Sequence, residues 1–260
     1  RGIGRAIALG LAERGYDLAL TDIGPQQAAL AAVAGEIAER GRRCVTITAD
    51  VSNPEDCRRS ADEAVRGLGH VDALVNNAGI LKLASIEELT PEIWDTTFAV
   101  NARGVFQMTQ ALIPHMRERR YGRIVNIASL AARTGGPGQS HYAASKSAVV
   151  GFTRVSSMEL GQHGITVNAV CPGIIQTEMG MNNLRDPERV AYFEKVTDLH
   201  RLGNPEDVVG PVAFFASPCK PGLLAPEEAW TLVQEHPSAK LIDVRSSEEL
   251  TLIGRVPGAL

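Results

Sequence analysis

Residues 129–146 read S-L-A-A-R-T-G-G-P-G-Q-S-H-Y-A-A-S-K, and their reading decides the fold. The preceding apolar run, R-I-V-N-I-A at 123–128, predicts a strand, and 143–160 predicts a helix. A Gly/Pro-rich loop separates the two, so the unit is strand, loop, helix. Tyr142 and Lys146 lie four residues apart, which places phenol and ammonium on one helical face. A phenol titrates near 10 and is a poor acid or base at neutral pH, but a neighbouring cation favours its ionised form. Lowering it by two to three units takes roughly 3–4 kcal/mol of differential interaction. Ser129, at the strand end, would then hold a substrate oxygen while Tyr142 gives or takes its proton. An isolated Y-x-x-x-K reads most simply as a surface pair on an amphipathic helix. The rest of the chain turns the reading toward chemistry.

Working outward, the N-terminal Arg1-Gly2-Ile3-Gly4 resembles the end of a glycine-rich turn entering a helix marked by Ile3, Ile7 and Leu11. A plain helix start fits the same residues. The run 17–22 predicts a buried strand ending in Asp22, where an acid would accept hydrogen bonds from an adenosine ribose. A helix over 26–39 and a strand over 44–48 follow. Asp50-Val51 is a polar step that would face an adenine or, equally, precede a helix opening at Pro54. The run 71–79 ends in Asn76-Asn77-Ala78-Gly79, where amides and a glycine allow close approach of a cofactor. Asn101 interrupts a helical stretch over 92–116, either as a solvent-facing residue or as an irregularity that holds a water. The strand 165–170 is closed by Cys171-Pro172-Gly173, which puts Ile174-Ile175-Gln176-Thr177 at the carboxyl edge of the sheet. Residues 179–200 are a cover over the substrate or a plain surface helix, and a final helix runs over 205–216. Strand–helix alternation predicts an α/β fold with a doubly wound parallel sheet.

Composition narrows the functional classes. The 260 residues are 22% charged and 44% hydrophobic with a formal charge of -4, so neither nucleic acid nor membrane is an expected partner. No apolar run is long enough to span a bilayer, and no signal-peptide pattern opens the chain. Cys44, Cys57, Cys171 and Cys219 lie far apart without metal-ligand spacing, so a reducing, cytoplasmic setting and no metal are expected.

Taken jointly, Gly2-x-Gly4, Asn76-Asn77-Ala78-Gly79, Asn101, Ser129, Tyr142-x-x-x-Lys146 and Pro172-Gly173-x-x-x-Thr177 resemble the short-chain dehydrogenase/reductase family over about residues 1–217. The resemblance implies a Rossmann-like domain in which Tyr142 is the general acid/base and Ser129 positions the substrate oxygen. It implies that Lys146 lowers the phenol pKa and holds the nicotinamide ribose, and that Asn101 holds a relay water. Arg1, Gly2, Ile3, Gly4, Asp22, Asp50, Val51, Asn77, Ala78 and Gly79 would line the cofactor with Tyr142 and Lys146, while Pro172, Gly173, Ile175 and Thr177 face the nicotinamide. Asp22 would repel a 2′-phosphate and selects NAD; Arg1, a basic residue before Gly2, points to NADP; the acid is the stronger discriminator. The implied partners are a small alcohol or ketone and a second copy of the chain, paired through 92–116 and 142–160.

The family's first strand and the opening of its glycine turn are missing, as is its last strand, so the sequence predicts a domain incomplete at both ends and a doubtful tetramer. After a junction at 218–224, residues 225–260 resemble the start of a rhodanese-like domain through Asp243-Val244-Arg245 and Pro257-Gly258-Ala259. The expectation is a join of two fragments in preference to a genuine fusion. A competing function is therefore a sulfur-transfer or interaction module with the reductase portion as scaffold. It needs a cysteine downstream of Val256, and the sequence has none there.

Overall fold

A computed structural model describes residues 1–184 and 186–217, and Arg1–Ser217 forms one compact unit. The junction, Cys219 and the rhodanese-like strings Asp243-Val244-Arg245 and Pro257-Gly258-Ala259 lie outside the described residues.

Helix α1 (Gly2–Ala12) leads to strand β1 (Leu18–Asp22), helix α2 (Gln27–Glu39) and strand β2 (Cys44–Thr48). Helix α3 (Pro54–Leu68) starts where Asn53 accepts hydrogen bonds from Glu55 N and Asp56 N, with Pro54 in the first turn. Strand β3 (Ala73–Asn76) then delivers the amide-rich turn. The helical stretch foreseen over 92–116 is three pieces: α4 (Pro91–Phe98), a π-turn (Ala99–Arg103) and α5 (Gly104–Glu118). Strand β4 (Gly122–Ile127), the short α6 (Ala131–Thr134), α7 (Ser140–Leu160) and β5 (Ile165–Val170) complete the central part. The segment expected as a cover or a plain surface helix holds two short helices, α8 (Glu178–Asn182) and α9 (Pro187–Val196), and α10 (Val209–Ala216) closes the unit.

All strand pairs among the described residues are parallel, as alternation with helices requires. The expected single sheet is instead two: β1 pairs with β2, and β4 lies between β3 and β5. Sequence runs reveal apolar strands but not their lateral partners, which is why one ladder was expected. The layering is nonetheless doubly wound. Along β4, Ile124 joins a core with Met108, Leu112 and Met116 of α5, whereas Val125 and Ile127 join one with Ile7 of α1 and Val212 of α10. Successive side chains of a strand point to opposite faces, so helices cover both sides of β4. All six β4 residues are buried. The carboxyl ends of β3, β4 and β5 therefore share one edge, and that edge carries Asn77, Ser129 and Pro172.

Candidate functional site

Ser129 follows directly from β4, whose end is tied to β5 by Ala128 N donating to Val170 O at 2.8 Å and Leu130 N donating to Pro172 O at 2.8 Å. The Ser129 hydroxyl accepts from Ala131 N at 3.1 Å and lies close enough to the Tyr142 phenol to favour its ionised form. Lys146 reaches back from α7 to the same strand end, where Nζ donates to Ile127 O at 2.8 Å. Its Nζ lies 5.9 Å from the Tyr142 ring centroid. The strand–loop–helix unit thus brings serine, phenol and ammonium together at one edge.

The electrostatics correct one expectation. Burial pushes the Tyr142 phenol above its ordinary range, and the neighbouring Ser129 hydroxyl pulls only partly back. Lowering by Lys146 was expected from its spacing, but Lys146 is 2% exposed and is itself pushed down to about 8 by desolvation, with Cys171 opposing. Desolvation penalises the charged form of both groups, and spacing along a helix carries no information about it.

Asn101 is fully buried in the π-turn. Its Oδ1 accepts from Ile80 N at 2.8 Å, and its Nδ2 donates to Ile80 O at 3.0 Å and to Ser145 Oγ at 3.1 Å. Ser145 in turn donates to Tyr142 O at 2.7 Å. A π-turn inserts one residue into the helical register, which is how Asn101 comes to face inward. The solvent-facing alternative is excluded. Asn101 and Ser145 therefore link the β3 loop to the backbone of Tyr142.

The nucleotide side converges on the glycines. A Cβ on Gly4 would stand 2.7 Å from Asn77 Nδ2, and one on Gly79 would stand 3.3 Å from Lys146 Nζ, so both backbones are closely approached by neighbouring side chains. Thr177 Cγ2 is 3.3 Å from the same construction at Gly2. Helix α1 has no side-chain cap, which leaves its N-terminal N–H groups for an anion. These features suit a dinucleotide: an uncapped helix start for its pyrophosphate, bordered by amides, and a buried ammonium further along the edge. Ile3 is the half-buried residue between the two glycines, and Ala78 is exposed beside Asn77.

Other expected residues are engaged locally. Asp22, half-buried, accepts from Ile23 N at 2.8 Å. Exposed Asp50 accepts from Ser52 N at 2.8 Å in the turn that leads to α3. Val51 packs against Gly104, where a Cβ would meet its Cγ2 at 2.8 Å. Arg1 pairs with Glu178 at 2.7 Å. Gly173 is exposed, Ile175 is bridged to Gly203, and Thr177 caps α8 by accepting from Gly180 N at 3.1 Å.

Sequence reasoning missed Ser145 and His141, which sit between and beside the motif residues and are fully buried. It also missed a polar ladder under the site: Asn76 Nδ2 donates to Asn126 Oδ1 at 2.8 Å and Thr109 Oγ1 at 3.1 Å, and Asn126 Nδ2 donates to Thr153 Oγ1 at 2.9 Å. The only signal for these was a polar residue inside an apolar run. Among the described residues, no group of three or more His, Cys, Asp or Glu is placed to hold a metal ion. No helix among them is long and apolar enough to cross a membrane.

A family model described as short chain dehydrogenase matches residues 1–188. The 3-oxoacyl-[acyl-carrier-protein] reductase FabG of Staphylococcus epidermidis is 40% identical over 217 residues, covering 84% of this chain and 88% of that protein. The L-rhamnose 1-dehydrogenase (NAD(P)(+)) of a Sphingomonas species is 38% identical over 220 residues, covering 83% and 85%. Among solved structures, NAD+-bound xylitol dehydrogenase superposes with a TM-score of 0.79 at 29% identity, covering 83% of this chain and 88% of that one. Levodione reductase gives 0.78 at 35%, covering 83% and 86%.

Proposed function

This chain belongs to the short chain dehydrogenase family and is an oxidoreductase, and from that premise we propose that it interconverts a secondary alcohol and a ketone, using NAD in preference to NADP. The observation that carries the proposal is the junction of Ser129, Tyr142 and Lys146 at the end of β4, where Lys146 Nζ donates to Ile127 O at 2.8 Å and the Ser129 hydroxyl lies beside the phenol. The nicotinamide, when bound, supplies or accepts the hydride. Ser129 holds the substrate oxygen beside the phenol, and Tyr142 gives that oxygen a proton during reduction or removes one during oxidation. With the phenol pushed up by burial, Tyr142 is protonated at neutral pH and ready to act as the acid in ketone reduction. Lys146, titrating near 8, can hold or release a proton within the working range and so restore the phenol.

Both N–H groups of the Asn101 side chain are committed to Ile80 and Ser145, so we assign any relay water to backbone groups of the π-turn. Pro172, Gly173, Ile175 and Thr177 would border the nicotinamide, and Lys146 would hold its ribose. Gly2, Ile3, Gly4, Asn77, Ala78 and Gly79 would line the dinucleotide. Asp50 and Val51 would face the adenine from the turn before α3. Asp22 at the end of β1 would meet a 2′-phosphate charge to charge, and Arg1 is drawn toward Glu178. We further propose a cytoplasmic homodimer that pairs through α4–α5 and α7, where Phe106, Val155 and Met158 stand exposed. The relatives' names range from a 3-oxoacyl group to L-rhamnose and xylitol, so the substrate is assigned only as a ketone or secondary alcohol. Nothing among the described residues favours the sulfur-transfer reading.

The test is ketone-dependent oxidation of NADH and NADPH by the purified chain across ketone classes. Turnover with NADH, and a shift of the NADH/NADPH ratio by about tenfold toward NADPH in Asp22→Ala, are expected. Cofactor binding without turnover of any ketone or alcohol would overturn the activity. An unchanged ratio would overturn the NAD assignment.

A further inference from the structure

His141 has no part in the chemistry above, yet it is fully buried and directly precedes Tyr142. Its Nε2 lies 2.9 Å from Lys82 O, and its Nδ1 has no hydrogen-bond partner. A carbonyl only accepts, so Nε2 carries the hydrogen of this bond. The contact is one of a series. Ile80 is held by Asn101 through both its N–H and its C=O, Lys82 O by His141, and Ala84 N donates to Gly138 O at 3.1 Å. Residues 80, 82 and 84 alternate with the repeat of an extended chain. Each is fastened to a different part of the site: the π-turn, the first turn of α7, and the loop before it. Of these fastenings, His141 is the one made by a side chain next to Tyr142 itself.

A buried ring nitrogen without a partner is unfavourable, and an apolar side chain of similar size would avoid it. What the histidine provides in return is the bond to Lys82. We infer that His141 is a positioning residue that fixes segment 80–84 against the first turn of α7 and thereby sets the substrate side of the cleft beside Tyr142. The inference rests on the reading of Tyr142 as the proton donor and acceptor.

Two variants separate positioning from bulk stability. His141→Leu removes the donor together with the unpartnered nitrogen, while His141→Gln keeps an N–H that can reach Lys82 O. The measurements are steady-state kinetics with NADH and the best ketone of the panel, NADH binding by fluorescence, and amide exchange at Ile80 and Ala84. In His141→Leu the ketone KM rises about tenfold, kcat falls less than threefold and NADH binding is unchanged. Exchange at both amides quickens, while the melting temperature stays close to wild type. His141→Gln returns KM and exchange to within threefold of wild type. A wild-type KM in His141→Leu, or failure of His141→Gln to restore it, would overturn the inference. Should the wild-type chain turn over no ketone, the functional reading fails and exchange alone decides: faster exchange in His141→Leu and not in His141→Gln sustains the clamp, and equal exchange overturns it.

Discussion

Helix α7 and segment 178–202, which we propose as two walls of a substrate cleft, are built on opposite plans. On the α7 side, His141, Ser145 and Lys146 are at most 2% exposed, and each is bonded to a group that lines the site. On the cover side, α8 and α9 contain no buried residue, and Tyr192, Val196 and Leu199 are 60%, 54% and 73% exposed. The hydrogen bonds there are mostly local, such as Asn183 Nδ2 to Met179 O. The cover is fastened between its two helices by buried Leu184 and at its ends by buried Leu202 and the bridge between Ile175 and Gly203. Proton transfer needs donors fixed to within a fraction of an ångström, which buried, hydrogen-bonded groups supply. Choice of substrate needs an adaptable surface, and exposed segments with few buried contacts open at low free energy.

If this contrast is right, substitutions on the two sides should differ in kind. Ser129→Ala should lower kcat about 10³-fold with little change in NADH binding, measured by stopped-flow hydride transfer. Asn101→Ala should cost about 3 kcal/mol in urea unfolding, because it strands the buried N–H and C=O of Ile80. Lys146→Met should lose turnover yet gain about 1 kcal/mol of stability at pH 7. Here the sign follows from linkage. The folded pKa, about 8, lies below the unfolded value near 10.5, so the unfolded chain binds more protons between them and wild-type stability rises with pH across that window. The full shift corresponds to about 3 kcal/mol, part of which is offset by leaving Ile127 O unpartnered. The advantage of the variant should therefore be largest below pH 8, vanish near pH 9 and become a deficit of about 2 kcal/mol by about pH 10.5.

On the cover, Tyr192→Ala should change stability by less than about 0.5 kcal/mol and alter ketone KM about threefold without changing kcat. A smaller effect still should come from His115, far from both walls, whose Nε2 accepts from Val71 N at 3.1 Å and whose pKa burial and Arg119 hold low. A lowered folded pKa means stability is present above the unfolded value and lost as pH falls below about 6.5, so His115→Gln should flatten that acid limb of the unfolding free energy.

The same contrast governs what could be read in the sequence. Ser129 and the Asn76–Gly79 run stand at strand ends, and Tyr142 and Lys146 in the first two turns of α7, where residue type is dictated by chemistry and a short string suffices. Asn101 was visible as a poor helix residue, but not the π-turn that carries it inward. His141 and Ser145 resemble ordinary helix polar residues, since burial is decided by elements distant in the chain. The upward shift of Tyr142 was hidden for the same reason: spacing gives the neighbour's charge but not the water removed from both groups. The split between β1–β2 and β3–β4–β5 depends on lateral pairing, which an apolar run does not encode. The cover is composed of surface residues, and its sequence carries no pattern to interpret.

The central claim is that the phenol of Tyr142 moves the proton while the buried groups around it only hold it in place. Single-turnover reduction of a ketone by NADH bound to Tyr142→Phe tests this most directly, because the substitution leaves ring packing and the neighbouring backbone bonds intact. The account predicts that NADH binds as in wild type and hydride transfer slows by about 10³-fold or more. Hydride transfer within a few-fold of wild type would contradict it.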